Sequence, residues 1–249
     1  MKWNWQQKNW PHFSYNSALL EKYEELFIRQ SGIIIGAQKH LSSDESTILT
    51  VELISDEALN TSSIEGEYLN RDSLQSSIRR NFGLDAESKK ISIGEKAISD
   101  MMIDVYESFE KTLSHQTLFS WHEMLMFGRR DLEKIGEYRT HKEPMQIVSG
   151  IAHKPIIYFE APPSSIMTQE MENFIEWFNQ TAPNCSRPLP ALIRAGIAHL
   201  YFESIHPFED GNGRIGRAIV VKALSQALGA SSLIALSNII QKKKKKYYE

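Results

Sequence analysis

The sequence predicts an all-α protein that carries one small β-hairpin. Apolar residues recur at helical spacing in five segments, which we interpret as amphipathic helices: 19–27, 48–59, 101–109, 118–127 and 166–178. Two later segments, 191–205 and 215–228, are apolar on nearly every side, so we expect two buried central helices there. One stretch of strand-like composition interrupts this helical pattern.

That stretch spans residues 145–159 and contains two β-rich runs around Ser149 and Gly150. Such a pattern indicates a β-hairpin. An isolated two-stranded hairpin is only marginally stable in water. We therefore expect a flap that packs on the helices, not a strand pair within a larger sheet.

Composition and charge exclude several classes of protein. The 249 residues are 41% hydrophobic and 24% charged, which is ordinary for a globular protein with a sizeable core. Cys185 is the only cysteine, so an intrachain disulfide is impossible. The net charge of −3 argues against direct nucleic-acid binding, and we interpret the basic run 242–246 as a solvated helix face. No apolar run approaches the length of a membrane helix and the first residues lack signal-peptide features, so we expect a cytoplasmic protein without a membrane partner.

The segment between the two buried helices, 206–217, reads HPFEDGNGRIGR and is polar and rich in glycine. Residues 211–213 lead directly into the second buried helix, where free backbone N–H groups and the helix dipole favour an anion. Arg214 and Arg217 lie three residues apart and therefore face the same side of the first helical turn. These N–H groups and two guanidinium groups together suit a polyphosphate better than a single carboxylate.

Two further residues of this loop supply chemistry. Asp210 precedes the phosphate-binding segment, and Mg²⁺ is usually held by one or two carboxylates together with phosphate oxygens. His206 ends the preceding helix, and a histidine side chain takes up a proton near neutral pH. A base, a metal ligand and a phosphate site so close in sequence predict transfer of a phosphorus group to a hydroxyl that His206 deprotonates.

The loop resembles the signature of the Fic family, HPFx(D/E)GN(G/K)RxxR, at every fixed position of that highly specific motif. The flanking segments agree with this resemblance. Residues 136–139, GEYR, resemble the segment before that family's flap, and residues 161–163, APP, resemble the turn after it. The resemblance covers residues 113–248 and implies the mainly helical Fic fold.

The resemblance implies a protein adenylyltransferase, which moves AMP from ATP to a Tyr, Thr or Ser hydroxyl of a target protein. The matched residues then have these roles: His206 as general base, Asp210 as the Mg²⁺ ligand, Gly211, Asn212 and Gly213 as the anion hole, Arg214 and Arg217 as partners of the β- and γ-phosphates, and Tyr248 against the nucleobase. The 145–159 flap would receive an extended target segment by strand addition. Gly213 favours AMP transfer, because the Doc-type relatives that phosphorylate carry Lys at this position.

A second motif lies upstream of this loop. Many Fic proteins carry an inhibitory helix with the pattern (S/T)xxxE(G/N), and the segment TSSIEG that begins at Thr61 fits it. A helix over about residues 46–66 would place Thr61 and Glu65 at the active site, where Glu65 would pair with Arg217 and occupy the partner of the γ-phosphate. A purely structural interpretation stays open, because Ser62 and Glu65 also match a helix capping box.

We divide the chain into an N-terminal helical region, residues 1–95, which carries the inhibitory helix, and a Fic core, residues 96–249. No helix stop signal follows Tyr248, so we expect the core to continue beyond the given sequence. Two other functions stay open: removal of AMP from a modified protein, with Glu65 acting on a water, and ATP sensing without turnover. The intact His206 argues against sensing, which needs no base. The target protein, the modified residue type and a homodimer that restrains the inhibitory helix also stay open.

Overall fold

The computed structural model describes residues 2–86, 89–151, 154–231 and 234–248. Within these residues the helices run as follows: α1 (Ser17–Gln38), α2 (Ser43–Ile64), α3 (Arg71–Asn81), α4 (Ile93–Glu107), α5 (His115–Leu125), α6 (Met167–Gln180), α7 (Ala191–Ile205), α8 (Asn212–Leu228), α9 (Leu236–Lys242) and α10 (Lys244–Tyr248). An antiparallel hairpin of β1 (Gln146–Ile151) and β2 (Lys154–Glu160) lies between α5 and α6. The predicted all-α fold with one small hairpin is confirmed.

The two central helices α7 and α8 pack along each other and form the middle of the core. Tyr201, Phe202 and Ile205 of α7 and Ile215 and Ile219 of α8 are fully buried. Burying one large apolar side chain stabilises a fold by about 1.5–3 kcal/mol, so this pair is a major source of stability. The connection between α7 and α8 is therefore held at the centre of the molecule.

A side-chain cap decides where α2 begins. Ser42 accepts a hydrogen bond from the backbone of Glu45, and the Glu45 carboxylate accepts one from the backbone of Ser42, which is a complete capping box. The helix consequently begins at Ser43, earlier than the predicted position near 46. The alternative capping box of Ser62 and Glu65 is wrong, because Ser62 lies inside the helix and Glu65 is its C-terminal cap.

Buried polar contacts fix α2 against the rest of the molecule. This helix packs on α3, α4 and α9 and also touches α8. The buried carboxylate of Glu57 accepts hydrogen bonds from the backbone and the hydroxyl of Ser237, which ties α2 to α9. Lys244 donates to the carbonyl of Ile64 at the end of α2. The predicted boundary between residues 95 and 96 falls in the first turn of α4 and stays a prediction.

The hairpin turn lies later than the sequence predicts. Ser149 pairs with Ile156 and Gly150 pairs with Pro155, so both predicted turn residues belong to β1. Strand β1 continues to Ile151 and β2 begins at Lys154, and residues 152 and 153 between them lie outside the described residues. Composition alone indicated a turn at Ser149 and Gly150, although glycine also occurs within strands.

The N-terminal tryptophans pack the first residues onto the core and the flap. Trp10 meets Tyr201 of α7 edge to face, with ring centroids 5.0 Å apart. Trp3 contacts Phe159 of β2, and the indole of Trp5 donates to the carbonyl of Glu160. These contacts anchor the base of the hairpin, as a small hairpin requires.

The sequence pattern missed two helices, α3 and α9. Apart from Leu74 and Ile78, which are fully buried, α3 consists of polar and charged residues, so its apolar periodicity is too sparse to recognise. The short helix α9 packs on α2 and α8, and α10, which contains most of the basic run 242–246, packs on α9. No described helix combines the length and hydropathy needed to span a bilayer.

Candidate active site between α7 and α8

His206 ends α7 in a left-handed backbone conformation, with φ 51° and ψ 62°. Residues other than glycine rarely adopt this conformation, and such exceptions concentrate at functional sites. Its N–H still donates to the carbonyl of Phe202, 2.9 Å away, so the imidazole is attached to the last turn of a buried helix. The side chain is 16% exposed, so the imidazole has limited access to solvent.

Arg139 holds the backbone on which His206 is mounted. Its buried guanidinium donates to the carbonyl of His206 at 2.8 Å, to the carbonyl of Pro162 at 2.6 Å and to the hydroxyl of Ser164 at 2.8 Å. Its own N–H donates to the carbonyl of Pro207. Burial lowers the pKa of Arg139 to about 10, which leaves it charged at neutral pH. The GEYR and APP segments are thus joined to the loop by one side chain, to which the sequence analysis assigned no role.

The loop after His206 is internally braced. Phe208 is fully buried and stacks on His122, with ring centroids 4.2 Å apart. The Asn212 side chain accepts from the N–H of Phe208 at 3.0 Å and donates to its carbonyl at 2.8 Å. Gly211 has φ 80°, and a Cβ there would lie 2.6 Å from the methyl carbon of Met126, so glycine is required. Because the Asn212 side chain is used inside the loop, its backbone N–H is the group left to face an anion.

Arg217 joins the loop helix to the end of α2. Its Nε donates to Thr61 Oγ1 at 2.7 Å, and its Nη2 donates to the Thr61 carbonyl at 3.0 Å and to Glu65 Oε1 at 2.7 Å. The Arg217 side chain is 1% exposed, whereas that of Glu65 is 34% exposed. The structure therefore brings Arg217 together with Thr61 and Glu65, which lie about 150 residues earlier in the sequence.

Arg214 has a carboxylate partner of its own. Its Nη1 lies 2.7 Å from Oε2 of Glu67, two residues after Glu65. Gly213 lies between the two arginine contacts, and a Cβ there would collide with Glu65 Oε1 and lie 3.2 Å from Arg217 Nη1. Glycine at this position therefore makes room for the Glu65 carboxylate.

Asp210, the predicted metal ligand, contacts a basic group. Its Oδ2 lies 2.8 Å from Arg129 Nη1, and its Oδ1 accepts from the N–H of Gly211 at 2.6 Å. The carboxylate is 39% exposed at the mouth of the loop. The described residues contain no cluster of three or more metal-ligating side chains. One accessible carboxylate beside a phosphate site fits Mg²⁺, which usually takes its remaining ligands from phosphate and water.

A small pocket of about 120 Å³ lies at the centre of these contacts. Its lining consists of Glu65, His206, Glu209, Asp210, Gly211, Asn212 and Gly213. Pockets for ligands of nucleotide size usually measure about 300–1,000 Å³. With the Glu65 carboxylate inside, this pocket is smaller than a whole nucleotide requires.

Burial governs the electrostatics of His206. Loss of solvation, with a smaller contribution from the positive charge of Arg139, lowers the pKa of His206 to about 4. The imidazole is therefore neutral at physiological pH, as a general base must be before it accepts a proton.

Tyr248 ends α10, and its side chain lies outside the described residues. Its expected place against the nucleobase stays a prediction. The neighbouring Tyr247 contacts Nε2 of His199 through its hydroxyl, at the α7 face near Arg217. An aromatic residue of α10 therefore does reach the vicinity of the site.

The structure adds four charged residues that the sequence analysis did not assign to the site: Glu67, Arg129, Arg139 and Glu203. Arg139 lay in the recognised GEYR segment, and Glu67 follows Glu65 closely, so both had a sequence signal. Glu203 lies three residues before His206, so its spacing was also a signal. Arg129 had none, because only folding brings Asp210 to it.

Two parts of the chain match known family models, and solved structures share its fold. Residues 112–224 match the Fic/DOC family, and residues 3–84 match a domain of unknown function, DUF4172. A Fic family protein from Desulfovibrio desulfuricans G20 is similar in structure, with TM-score 0.66 and 22% identity over 96% of this chain. This chain spans 66% of the length of that protein.

Two further solved structures have the same fold. A Fic domain containing signaling protein from Bacteroides thetaiotaomicron VPI-5482 has TM-score 0.66 and 18% identity, over 89% of this chain and 80% of that one. A fragment of Fic-1 from C. elegans has TM-score 0.59 and 17% identity, over 93% of this chain and 72% of that one. At such low identities the similarity establishes the fold alone.

Proposed function

This chain is a Fic-domain protein, and on that premise we propose that it is a protein adenylyltransferase that moves AMP from ATP to a hydroxyl of a target protein. The observation that carries the proposal is the arrangement around the small pocket. One neutral imidazole, one accessible carboxylate and the N-terminus of a buried helix line it, and the guanidinium groups of Arg214 and Arg217 follow in the first turns of that helix. Each of these groups has a use in nucleotidyl transfer.

The triphosphate binds along the start of α8. The N–H groups of residues 211–213 and the helix dipole attract the phosphates. Arg214 and Arg217 bind the β- and γ-phosphates once their present carboxylate partners, Glu67 and Glu65, have released them. Bidentate contacts from arginine are well suited to phosphate oxygens.

The reaction is an in-line displacement at the α-phosphorus. Nε2 of His206 takes the proton of the target hydroxyl while the hydroxyl oxygen forms a bond to the α-phosphorus. The bond from that phosphorus to the bridging oxygen breaks, and pyrophosphate leaves with the electron pair. Asp210 would hold Mg²⁺, which would supply positive charge to balance the charge that develops on the leaving phosphates.

The hairpin presents the target. Apolar side chains on both strands are exposed by 44% or more: Ile147, Val148, Ile156, Ile157 and Tyr158. A two-stranded sheet offers free edges, which an extended peptide can join through main-chain hydrogen bonds. A target segment held along the flap would present its hydroxyl to His206.

The contact between Glu65 and Arg217 acts as a brake. The carboxylate of Glu65 occupies the guanidinium that would bind the γ-phosphate, and it also fills the pocket. A nucleotide that binds beside it lacks one phosphate contact and is not aligned for in-line attack. Release of Glu65 therefore sets the activity.

Removal of AMP from a modified protein is a second candidate, because the Glu65 carboxylate lines the same pocket as His206. In that reaction Glu65 orients or deprotonates a water that attacks the phosphorus. The two candidates predict opposite effects of removing Glu65. If the protein is a transferase, AMP transfer rises because the brake is lost. If it is a hydrolase, AMP removal disappears because Glu65 no longer acts on the water.

The test follows label retained on protein from α-labelled and γ-labelled ATP with Mg²⁺. It compares the unaltered chain, Glu65→Gly, and Glu65→Gly combined with His206→Ala. AMP transfer predicts label from the α-position only, stronger in Glu65→Gly and lost with His206→Ala. Label from the γ-position would identify a kinase and overturn the proposal. Loss of AMP from a pre-modified partner that requires Glu65 would favour the hydrolase.

A further inference from the structure

Three titratable residues of α7 and its cap lie on one face of the helix. His199, Glu203 and His206 are spaced four and three residues apart, so they line up toward α8. Gly216 of α8 lies opposite them. A Cβ at Gly216 would collide with Glu203 Oε1 and lie 3.2 Å from His199 Nδ1. The absence of a side chain at Gly216 is what admits a carboxylate at this place.

The Glu203 carboxylate lies near Nδ1 of His206, which is buried and has no hydrogen-bond partner among the described residues. Its Oε2 lies 3.8 Å from Nδ1 of His206. Although 27% of the Glu203 side chain is exposed, its Oε1 is buried and has no hydrogen-bond partner among the described residues. A buried carboxylate oxygen without a partner is costly. Its presence beside the candidate base therefore calls for a functional explanation.

We propose that Glu203 is a positioning residue for His206: its carboxylate accepts the Nδ1 proton and stabilises the imidazolium formed when Nε2 takes the target proton. This inference rests on the proposed role of His206 as general base. Closing the gap from 3.8 Å to a hydrogen bond needs a movement of about 1 Å. The target proton stays on Nε2 and the Nδ1 proton stays shared with Glu203, so no further proton leaves the site.

The need for such a carboxylate follows from the burial of His206. Burial and the charge of Arg139 lower the pKa of His206 to about 4, which makes the imidazole a weak base. An opposite charge within about 4–6 Å favours the charged form of a titrating group. An ionised Glu203 therefore strengthens His206 as a base without exposing it to water.

The brake acts on the same carboxylate. Burial raises the pKa of Glu203 to about 7, Arg217 opposes this rise, and Glu65 adds to it. While Glu65 is engaged, Glu203 is partly protonated at neutral pH and supports His206 less. Release of Glu65 lowers the pKa of Glu203 and so favours its ionised form, and it also removes the charge by which Glu65 itself raises the pKa of His206. Glu65 thus acts on the electrostatics of the base as well as on the phosphate site.

The charged and titratable groups around Glu203 come from several elements. They are His199 and His206 on its own helix, Arg217 on α8, Glu65 after α2, Arg139 before the flap, Asp210 in the loop and Tyr247 on α10. Among these, the positive charges of Arg217 and Arg139 stay constant from pH 5 to 8. The titration of Glu203 is therefore the expected origin of pH dependence in this range.

The experiment measures the pKa of His206 by nuclear magnetic resonance of nitrogen-labelled histidine in the full chain, without nucleotide or metal. It compares Glu65→Gly with Glu65→Gly combined with Glu203→Gln, and His206→Ala assigns the signal. The pKa of Glu203 lies above that of His206, so we expect a second inflection in the nitrogen shifts of His206 as Glu203 ionises between pH 5 and 8. Glu203→Gln should abolish this inflection, because its side chain cannot ionise. Glu172→Gln is the matched control, since it removes a carboxylate beside a different histidine, His115. An inflection that persists in the Gln variant, or that is absent when Glu203 is present, overturns the proposal.

A second arm measures AMP transfer against pH in the same variants. With Glu203 present, the turnover number rises with pH as Glu203 ionises. With Gln it is about tenfold lower and flat from pH 5 to 8, while the KM for ATP is unchanged. A purely structural role would change neither the shape of this profile nor the inflection in the His206 signals. If Glu65→Gly transfers no AMP at any pH, the proposed function fails, and the resonance experiment still decides the role of Glu203. Glu203→Asp, which keeps an ionisable carboxyl group, should keep the inflection in the His206 signals, and its loss counts against the proposal.

Discussion

The two arginines of the loop lie one helical turn apart on α8, yet they are held very differently. Arg217 is 1% exposed and makes three hydrogen bonds to Thr61 and Glu65. Arg214 is 10% exposed, makes one bond to Glu67, and its Nε is buried without a partner among the described residues. The two carboxylates are about equally exposed, at 34% and 36%. The contact of Arg217 with Glu65 therefore differs from that of Arg214 with Glu67 in the burial and bonding of the arginine, not in the exposure of the carboxylate.

The largest expected difference is in stability. Arg217→Ala should lower the free energy of unfolding by about 2–4 kcal/mol, because it leaves the Thr61 carbonyl and the Glu65 carboxylate without their partner. Arg214→Ala, the matched control, should lower it by about 1 kcal/mol or less. Urea unfolding at pH 7 measures both values. Equal losses in the two variants would remove the distinction between the arginines.

The side of Arg217 also carries a second carboxylate, Glu203, whose pKa is raised to about 7 mainly by burial. This value lies above that of an ordinary Glu, so the stability linked to it is present below about pH 4.5 and is lost as the pH rises through 7. The Glu203→Gln variant carries no ionisable group at this position, so it does not lose this stability as the pH rises. Between pH 4.5 and pH 8 the variant should therefore gain about 1–3 kcal/mol relative to the unaltered chain. Urea unfolding at the two pH values checks this, and a difference that does not change with pH would contradict it.

The two carboxylates should differ as brakes. Glu65→Ala should raise the rate of AMP transfer by about 5- to 150-fold, corresponding to a coupling of 1–3 kcal/mol. Glu67→Ala should raise it by about fivefold at most, because an exposed ion pair contributes little. Initial rates with α-labelled ATP under identical conditions compare the two variants. A larger effect of Glu67→Ala would transfer the main inhibitory role to Arg214.

The smallest expected effect concerns the hydroxyl that binds Arg217. Thr61→Val keeps the shape of the side chain and removes the acceptor of Arg217 Nε, so it should lower stability by about 1–2 kcal/mol and loosen the brake severalfold. Ser62→Ala is the matched control on the same helix, because the buried Ser62 hydroxyl has no partner among the described residues. That control should change stability by about 0.5 kcal/mol or less. Thermal unfolding of both variants is sufficient, and equal behaviour would mean that the Thr61 hydroxyl contributes nothing.

Much of the fold follows from local patterns. The bounds predicted for α7 agree with the structure, because that helix is apolar on all sides between a proline-rich loop and a polar motif. The hairpin turn was misplaced at Ser149 and Gly150, since turn composition does not reveal the strand register. The polar helix α3 was missed, because two apolar residues do not make a periodic pattern.

The sequence by itself determined the match of residues 112–224 to the Fic/DOC family and the order of the residue types in the loop. The order of His206, Asp210, Arg214 and Arg217 is local, and short-range geometry suffices to place them at the junction of two helices. Only the tertiary structure decided what opposes each charge. Arg129 against Asp210, Glu67 against Arg214 and Glu203 against His206 depend on packing between elements or on side-chain direction around a helix end. Electrostatic interactions depend on the distance between charges and on their burial, and both quantities are defined only once the chain has folded.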